Sequence, residues 1–142
     1  MHSFERNLSV SEQNNYICPE IFSEETFIGS AADIFAIGVS LFILIVGDYP
    51  FRVAKKSDIK YQNMYKKDPF VFWRKHSRAK KKISKGKISD QFIDLVTRML
   101  IPSQEDRISI EEIKEHNWFQ ENIMEVSMVK DYMEQIRMKK CL

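Results

Sequence analysis

Apolar positions crowd into one stretch, Ile34 to Val46, broken only by Gly38 and Ser40, and elsewhere recur at helical spacing between polar segments. Ser30 is suited to cap a helix there, with Asp33 three residues on, close to a capping box. Gly47 offers the left-handed stop. At 1.5 Å per residue such a helix is about 24 Å long. Being apolar around nearly its whole circumference, it is expected to be enclosed by other elements. The apolar run falls short of the roughly 20 residues that cross a bilayer, so a buried helix is expected, and no membrane partner.

Downstream, Pro50 forbids continuation of that helix. Asp58 to Lys67 reads as a short helix that turns Ile59, Met64 and Tyr65 toward the protein, closed by Asp68-Pro69. Ser89 caps the next helix, where Phe92, Val96, Met99 and Leu100 recur at helical spacing until Pro102. Ser109 with Glu112 forms a capping box before a short helix bearing Ile113, and Trp118 and Phe119 are expected to fold back onto the body. From Asn122 to Lys140 a tail helix carries Val126, Val129, Tyr132, Met133 and Ile136 on one stripe, expected to pack on its own domain. The pattern contains no repeat and no clear strand, so the fold class is mainly α.

Composition changes this picture little. The chain has 142 residues, 44% of them hydrophobic, enough for one small core. A net charge of +2 favours neither a nucleic-acid binder nor an enzyme for acidic substrates. Two cysteines, Cys18 and Cys141, lie far apart without C-x-x-C spacing, which fits a reduced cytoplasmic or nuclear protein and no metal site. The first fifteen residues are polar, lack the apolar run of a secretory signal and read as flexible. The sequon at Asn7 is therefore expected to be unused.

Three ordered motifs carry the chemistry. Tyr16-Ile-Cys18-Pro19-Glu20 is followed by Asp33 and Gly38 in D-x-x-x-x-G spacing, then by Gly47-Asp-Tyr-Pro-Phe51. Further on, Asp106-Arg107 precedes the capping box and His116-Asn-Trp-Phe119. Together, over roughly Tyr16 to Phe119, these resemble the protein kinase family, in which A-P-E closes the activation segment. The resemblance implies the helical C-terminal lobe of a serine/threonine protein kinase, truncated before the catalytic loop and loosely similar to calcium/calmodulin-dependent kinases. Residues 1–15 would be a flexible remnant of the activation segment, 16–120 a partial kinase domain and 121–142 a tail helix.

The resemblance also assigns roles. Glu20 and Arg107 match the family's buried ion pair, for which a planar guanidinium is suited because two parallel bonds fix its direction. Asp33 and Gly38 would anchor the central helix, Asp33 as the aspartate that holds the backbone of the catalytic loop, or else simply as a carboxylate favoured at a helix start. Tyr16, Cys18 and Pro19 would belong to the loop that cradles the substrate. Glu12 and Gln13 stand where the family carries Gly-Thr or Gly-Ser, a departure that weakens peptide phosphorylation. Ser9 and Ser11 are weak phosphosite candidates, since phosphate needs a basic partner.

The catalytic parts themselves are missing from this sequence. Glycines stand at 29, 38, 47 and 86 and never form G-x-G-x-x-G, and His-Arg-Asp and Asp-Phe-Gly are absent. Val53-Ala-Lys-Lys56 mimics the ATP-lysine strand without a β pattern around it. No catalytic, cofactor or metal residue is therefore assigned, and ATP and magnesium are expected only for a complete parent kinase that supplies the preceding segment. A fragment of a longer kinase, a truncated pseudokinase acting as a non-catalytic protein-binding module, and a decayed remnant all fit this sequence. Each of the first two works on a protein substrate or partner.

Arg74 to Lys87 holds eight cations and no acid. It reads as a solvated loop between helices without a core of its own, and secondarily as a nuclear-import signal or a dock for an acidic partner. Aromatic interleaving is lacking, which argues against nucleic acid. His76 and His116 have no ligand spacing.

Overall fold

The computed structural model describes residues 14–23, 26–120 and 124–140. Asn7, Ser9, Ser11, Glu12, Gln13, Cys141 and most of the polar segment 1–15 lie outside the described residues. Nine α-helices and two 3-10 turns, with no strand, make up the regular structure among those described: α1 Pro19–Phe22, α2 Gly29–Val46, α3 Ile59–Gln62, α4 Phe70–Lys75, α5 Ser77–Ser84, α6 Asp90–Met99, α7 Ile110–Glu115, α8 Asn117–Gln120 and α9 Val126–Lys140. This is the helical lobe that the sequence implied.

Helix α2 is the post around which the rest is arranged, about 27 Å long at 1.5 Å per residue. Phe35, Val39, Phe42 and Val46 bury one side of it in a core shared with Phe51, Tyr61, Phe72, Trp73, Phe92 and Val96. Ile34 reaches a second cluster with Leu95, Met99, Ile108 and Ile113. Gly38 permits the close approach of α6, since a Cβ there would lie 2.9 Å from Met99 Cβ and 3.1 Å from Leu100 Cδ2. Gly47 ends the helix in the left-handed region, φ 79°, and donates its N–H to Ile43 O at 2.8 Å.

Three expectations for α2 are corrected. Ser30 is not its cap: the helix begins at Gly29 with Ile28 in the capping position and no side-chain cap. A tertiary partner takes that place, because Gln104 accepts the Ile28 N–H at 2.9 Å and donates to Thr26 O at 3.0 Å. Nor is the helix enclosed. Asp33, Ile37, Ser40 and Leu44 form a continuous exposed stripe, Leu44 being 76% exposed, because the elements packed on α2 come mainly from its downstream side. Finally, its 18 residues and hydropathy of 2.2 are long and apolar enough for a bilayer. Packing on α6 and α5 gives it the role of a core helix here.

The short helix α3 follows a different register from the one expected. Asp58 caps it by accepting Tyr61 N–H, and Tyr61 is the buried residue, ringed by Phe51 and Tyr65. Ile59 points outward, 80% exposed, and Tyr65 is half-exposed. The basic run is not a solvated loop either. It folds as α4 and α5, with Phe72, Trp73, His76 and Ala79 buried. The Ser89 cap and the Ser109–Glu112 capping box form as expected. Helix α9, by contrast, buries none of its residues. Trp118, packed on Phe92 and both clusters, already takes the apolar surface at that end.

Candidate functional site

The site is built from two short elements and one distant arginine. A 3-10 turn, Asn14–Tyr16, leads into Cys18, whose extended backbone caps α1 without a side-chain bond, and Pro19 occupies the first helical turn. That places Glu20 in the first turn, buried and facing the loop between α6 and α7. From this loop Arg107 Nη1 donates to Glu20 Oε1 at 2.6 Å and Nη2 to Glu20 Oε2 at 3.0 Å. The two side chains are almost wholly removed from solvent.

A buried bidentate pair needs its remaining protons satisfied, and here they are. Nη1 also donates to Ala31 O at 2.8 Å, while Nε and Nη2 reach Ile101 O at 3.2 and 3.1 Å. The guanidinium lies 5.1 Å from the Phe35 ring centroid. Arg107 thereby joins three pieces: α1, the first turn of α2, and the loop ahead of α7. Burial alone would push the Glu20 carboxyl up, but hydrogen bonds from Arg107 and from backbone outweigh it and hold the group below its ordinary value. The buried Cys18 thiol moves the other way, up to about 11, first through burial and then through the Glu20 carboxylate beside it. The thiol is thus held in the protonated form near neutral pH.

The other sequence-derived residues lie partly beside this tie and partly apart from it. Tyr16 is 37% exposed and presents its ring on the outer side of the segment that Glu20 anchors. Gly38 sits in the α2–α6 contact, remote in role from any ligand. Asp33 stands on the uncovered stripe of α2 and is not brought to Glu20 or Arg107. Against α1 opens a cleft of about 600 Å³, lined among others by Pro19, Phe22, Lys55, Lys56, Tyr65 and Gln104. Lys55 Nζ lies 4.4 Å from the centre of the Phe22 ring and Lys56 Nζ 5.3 Å from that of Tyr65. Lys55 is therefore a rim cation of this cleft, in a stretch without any strand.

Sequence reasoning missed Gln104, Phe35 and the carbonyls of Ala31 and Ile101. No local signal marks them, because each acts only through a partner distant in sequence. Among the described residues no group of three or more His, Cys, Asp or Glu side chains converges as metal ligands.

Comparison with known proteins agrees with this architecture. The protein kinase domain family matches residues 2–119. The chain is 33% identical over 112 residues to serine/threonine-protein kinase SRK2C of Arabidopsis thaliana, covering 76% of this chain and 29% of that protein. It is 35% identical over 109 residues to CBL-interacting protein kinase 1 of Oryza sativa subsp. japonica, covering 76% and 20% respectively. To the carbon catabolite-derepressing protein kinase of Secale cereale it is 32% identical over 126 residues, covering 87% and 22%. The chain thus spans well under half the length of these relatives. On the match over residues 2–119, with the helical lobe described above, this chain belongs to the protein kinase domain family.

Proposed function

We propose that this chain is the substrate-facing part of the helical lobe of a serine/threonine protein kinase, whose phosphoryl transfer to protein substrates depends on ATP-binding and catalytic segments that this sequence does not contain. The observation that carries the reading is the Glu20–Arg107 tie, which fixes the segment Tyr16 to Glu20 to the body of the lobe while leaving Tyr16 exposed. In such a kinase the tied segment is the ledge on which a protein substrate rests. The uncovered stripe of α2 fits the same reading, since a parent kinase would supply a segment to cover it.

The test is a transfer assay on two samples. The 142-residue chain alone, incubated with labelled ATP, magnesium and a serine-containing peptide, is expected to transfer no phosphate. The native product, immunoprecipitated through its C-terminus and sized on a denaturing gel, is expected to run well above 16.9 kDa and to be active. A native product of 16.9 kDa without activity would overturn the proposal and leave a non-catalytic binding lobe.

A further inference from the structure

Helices α4 and α5 turn the most basic part of the chain into a rigid platform. Their inner side is locked in four ways: Phe72 and Trp73 are buried, Trp73 Nε1 donates to Thr97 Oγ1 at 2.8 Å, His76 Nε2 to Tyr49 O at 2.9 Å, and Ala79 N–H to His76 Nδ1 at 3.3 Å. The end of α5 is fixed as well. Gly86, φ 64°, donates to Ile83 O at 2.9 Å and Lys87 N–H to Lys82 O at 3.0 Å, a Schellman closure that sets the backbone of Lys85 to Lys87.

Three of the eight cations between 74 and 87 have structural work. Arg74 pairs with Asp68 at 2.6 Å, while Arg78 and Lys82 donate to Gly47 O at 2.7 Å and Ile45 O at 2.5 Å, satisfying carbonyls at the end of α2. The other five, Lys75, Lys80, Lys81, Lys85 and Lys87, are exposed and form no ion pair among the described residues. In a chain whose net charge is only +2, five exposed cations on and beside α5 repel one another, and the potential they raise selects an anionic partner.

Which anion follows from what else the face shows. Nucleic acid is disfavoured because Phe72 and Trp73, the aromatics nearest the lysines, are buried, which leaves Phe70 at the start of α4 as the one exposed ring on these two helices. A bilayer is disfavoured because α5 exposes no large apolar side chain, Ile83 being half-buried against the core. We infer that the outer face of α4–α5, centred on Lys80, Lys81 and Lys85, docks an acidic segment of a partner protein. Ser84 sits exposed among these lysines, its Oγ donating to Lys81 O at 2.9 Å, so an added negative charge there opposes docking.

The experiment uses the whole chain and a fluorescein-labelled peptide of about 12 alternating Glu and Asp residues, read by anisotropy at roughly 50 and 200 mM salt, between which exposed charges are increasingly screened. Expected is binding that weakens with salt, a loss of about tenfold or more in K80E/K81E/K85E, and a smaller loss of about twofold to threefold in Ser84→Glu. Because the side chains of the three lysines form no hydrogen bond or ion pair among the described residues, the thermal melt of the triple variant should match that of the parent. If it does not, Ser84→Glu alone decides. Binding unchanged in the variants, no binding at the lower salt, or tighter binding of single-stranded DNA or of phosphatidylserine vesicles than of the peptide would each overturn the inference.

Discussion

Replacing Arg107 by alanine tests the tie that organises the lobe. The substitution leaves the Glu20 carboxylate in a site where its side chain is only 4% exposed, and removes the donors to Ala31 O and Ile101 O. Breaking one partner of a buried pair costs about 3–5 kcal/mol, about a fifth or more of the roughly 5–15 kcal/mol that hold a domain folded. Arg107→Lys keeps the charge but cannot make two parallel bonds, so about 1–3 kcal/mol should be lost. Urea unfolding followed by the fluorescence of Trp73 and Trp118 measures both. The sign of the pH effect is fixed by Glu20, whose carboxyl is held low when folded. Its contribution is present above the unfolded value of about 4.3 and disappears as pH falls through the folded one. The gap between parent and Arg107→Ala should therefore be full at pH 7 and narrow in acid. A gap below about 0.5 kcal/mol at pH 7, or one that does not change with acidification, would refute the argument that a stranded buried charge is what the variant suffers.

Two further outcomes follow from single positions. Gly38→Ala should lower the urea midpoint, because the 2.9 Å approach of Met99 Cβ is relieved only by separating α2 from α6, an overpacking cost of about 1–3 kcal/mol against about 1 kcal/mol of helix propensity gained. Gly29→Ala, with nothing within 4 Å, should be neutral or stabilising, and equal effects at the two sites would count against the packing account. His76 is held below its ordinary value first by burial and also by Lys60, against the opposing pull of Tyr49 O and Asp48. The native state then resists a proton that the unfolded chain takes up near about 6.5, so stability should fall from pH 7 toward 5.5 by at most about 1.4 kcal/mol per pH unit. His76→Asn, which keeps a capping acceptor, should flatten that slope in urea titrations, and identical slopes would show that His76 does not carry it.

Much of the lobe was legible because its signals are local. Ser89, Ser109 with Glu112, and Gly47 act on backbone groups within a few residues, and each does in the structure what the sequence implied. Ser30 failed for the same reason in reverse: a remote side chain, Gln104, outcompeted a local cap. Glu20 and Arg107, 87 positions apart, carry no mutual signal in spacing or composition, and only the family resemblance joined them in advance. The basic run misled because charge was read before periodicity. His76, Ala79 and Ile83 stand at i, i+3 and i+7, a helix face hidden under six cations between 74 and 82, and that face is the one the core takes up.

The exposed stripe of α2 joins the physical reading to the proposed function. Ile37 and Leu44 stay partly in water on a helix whose other side is core, and covering what each still exposes would contribute on the order of 1–2 kcal/mol. The same stripe carries Asp33 and Ser40, so it is a seam with polar groups set between apolar ones and not a plain hydrophobic face. Such a surface suits a backbone segment that offers N–H donors to a carboxylate while its side chains cover the aliphatic positions. On the proposed reading that segment belongs to the parent kinase, and Asp33 is where its backbone is held. The lobe would then be built from both sides of one helix, with the Glu20–Arg107 tie securing the substrate ledge on its buried side and the seam receiving the catalytic parts on the exposed one.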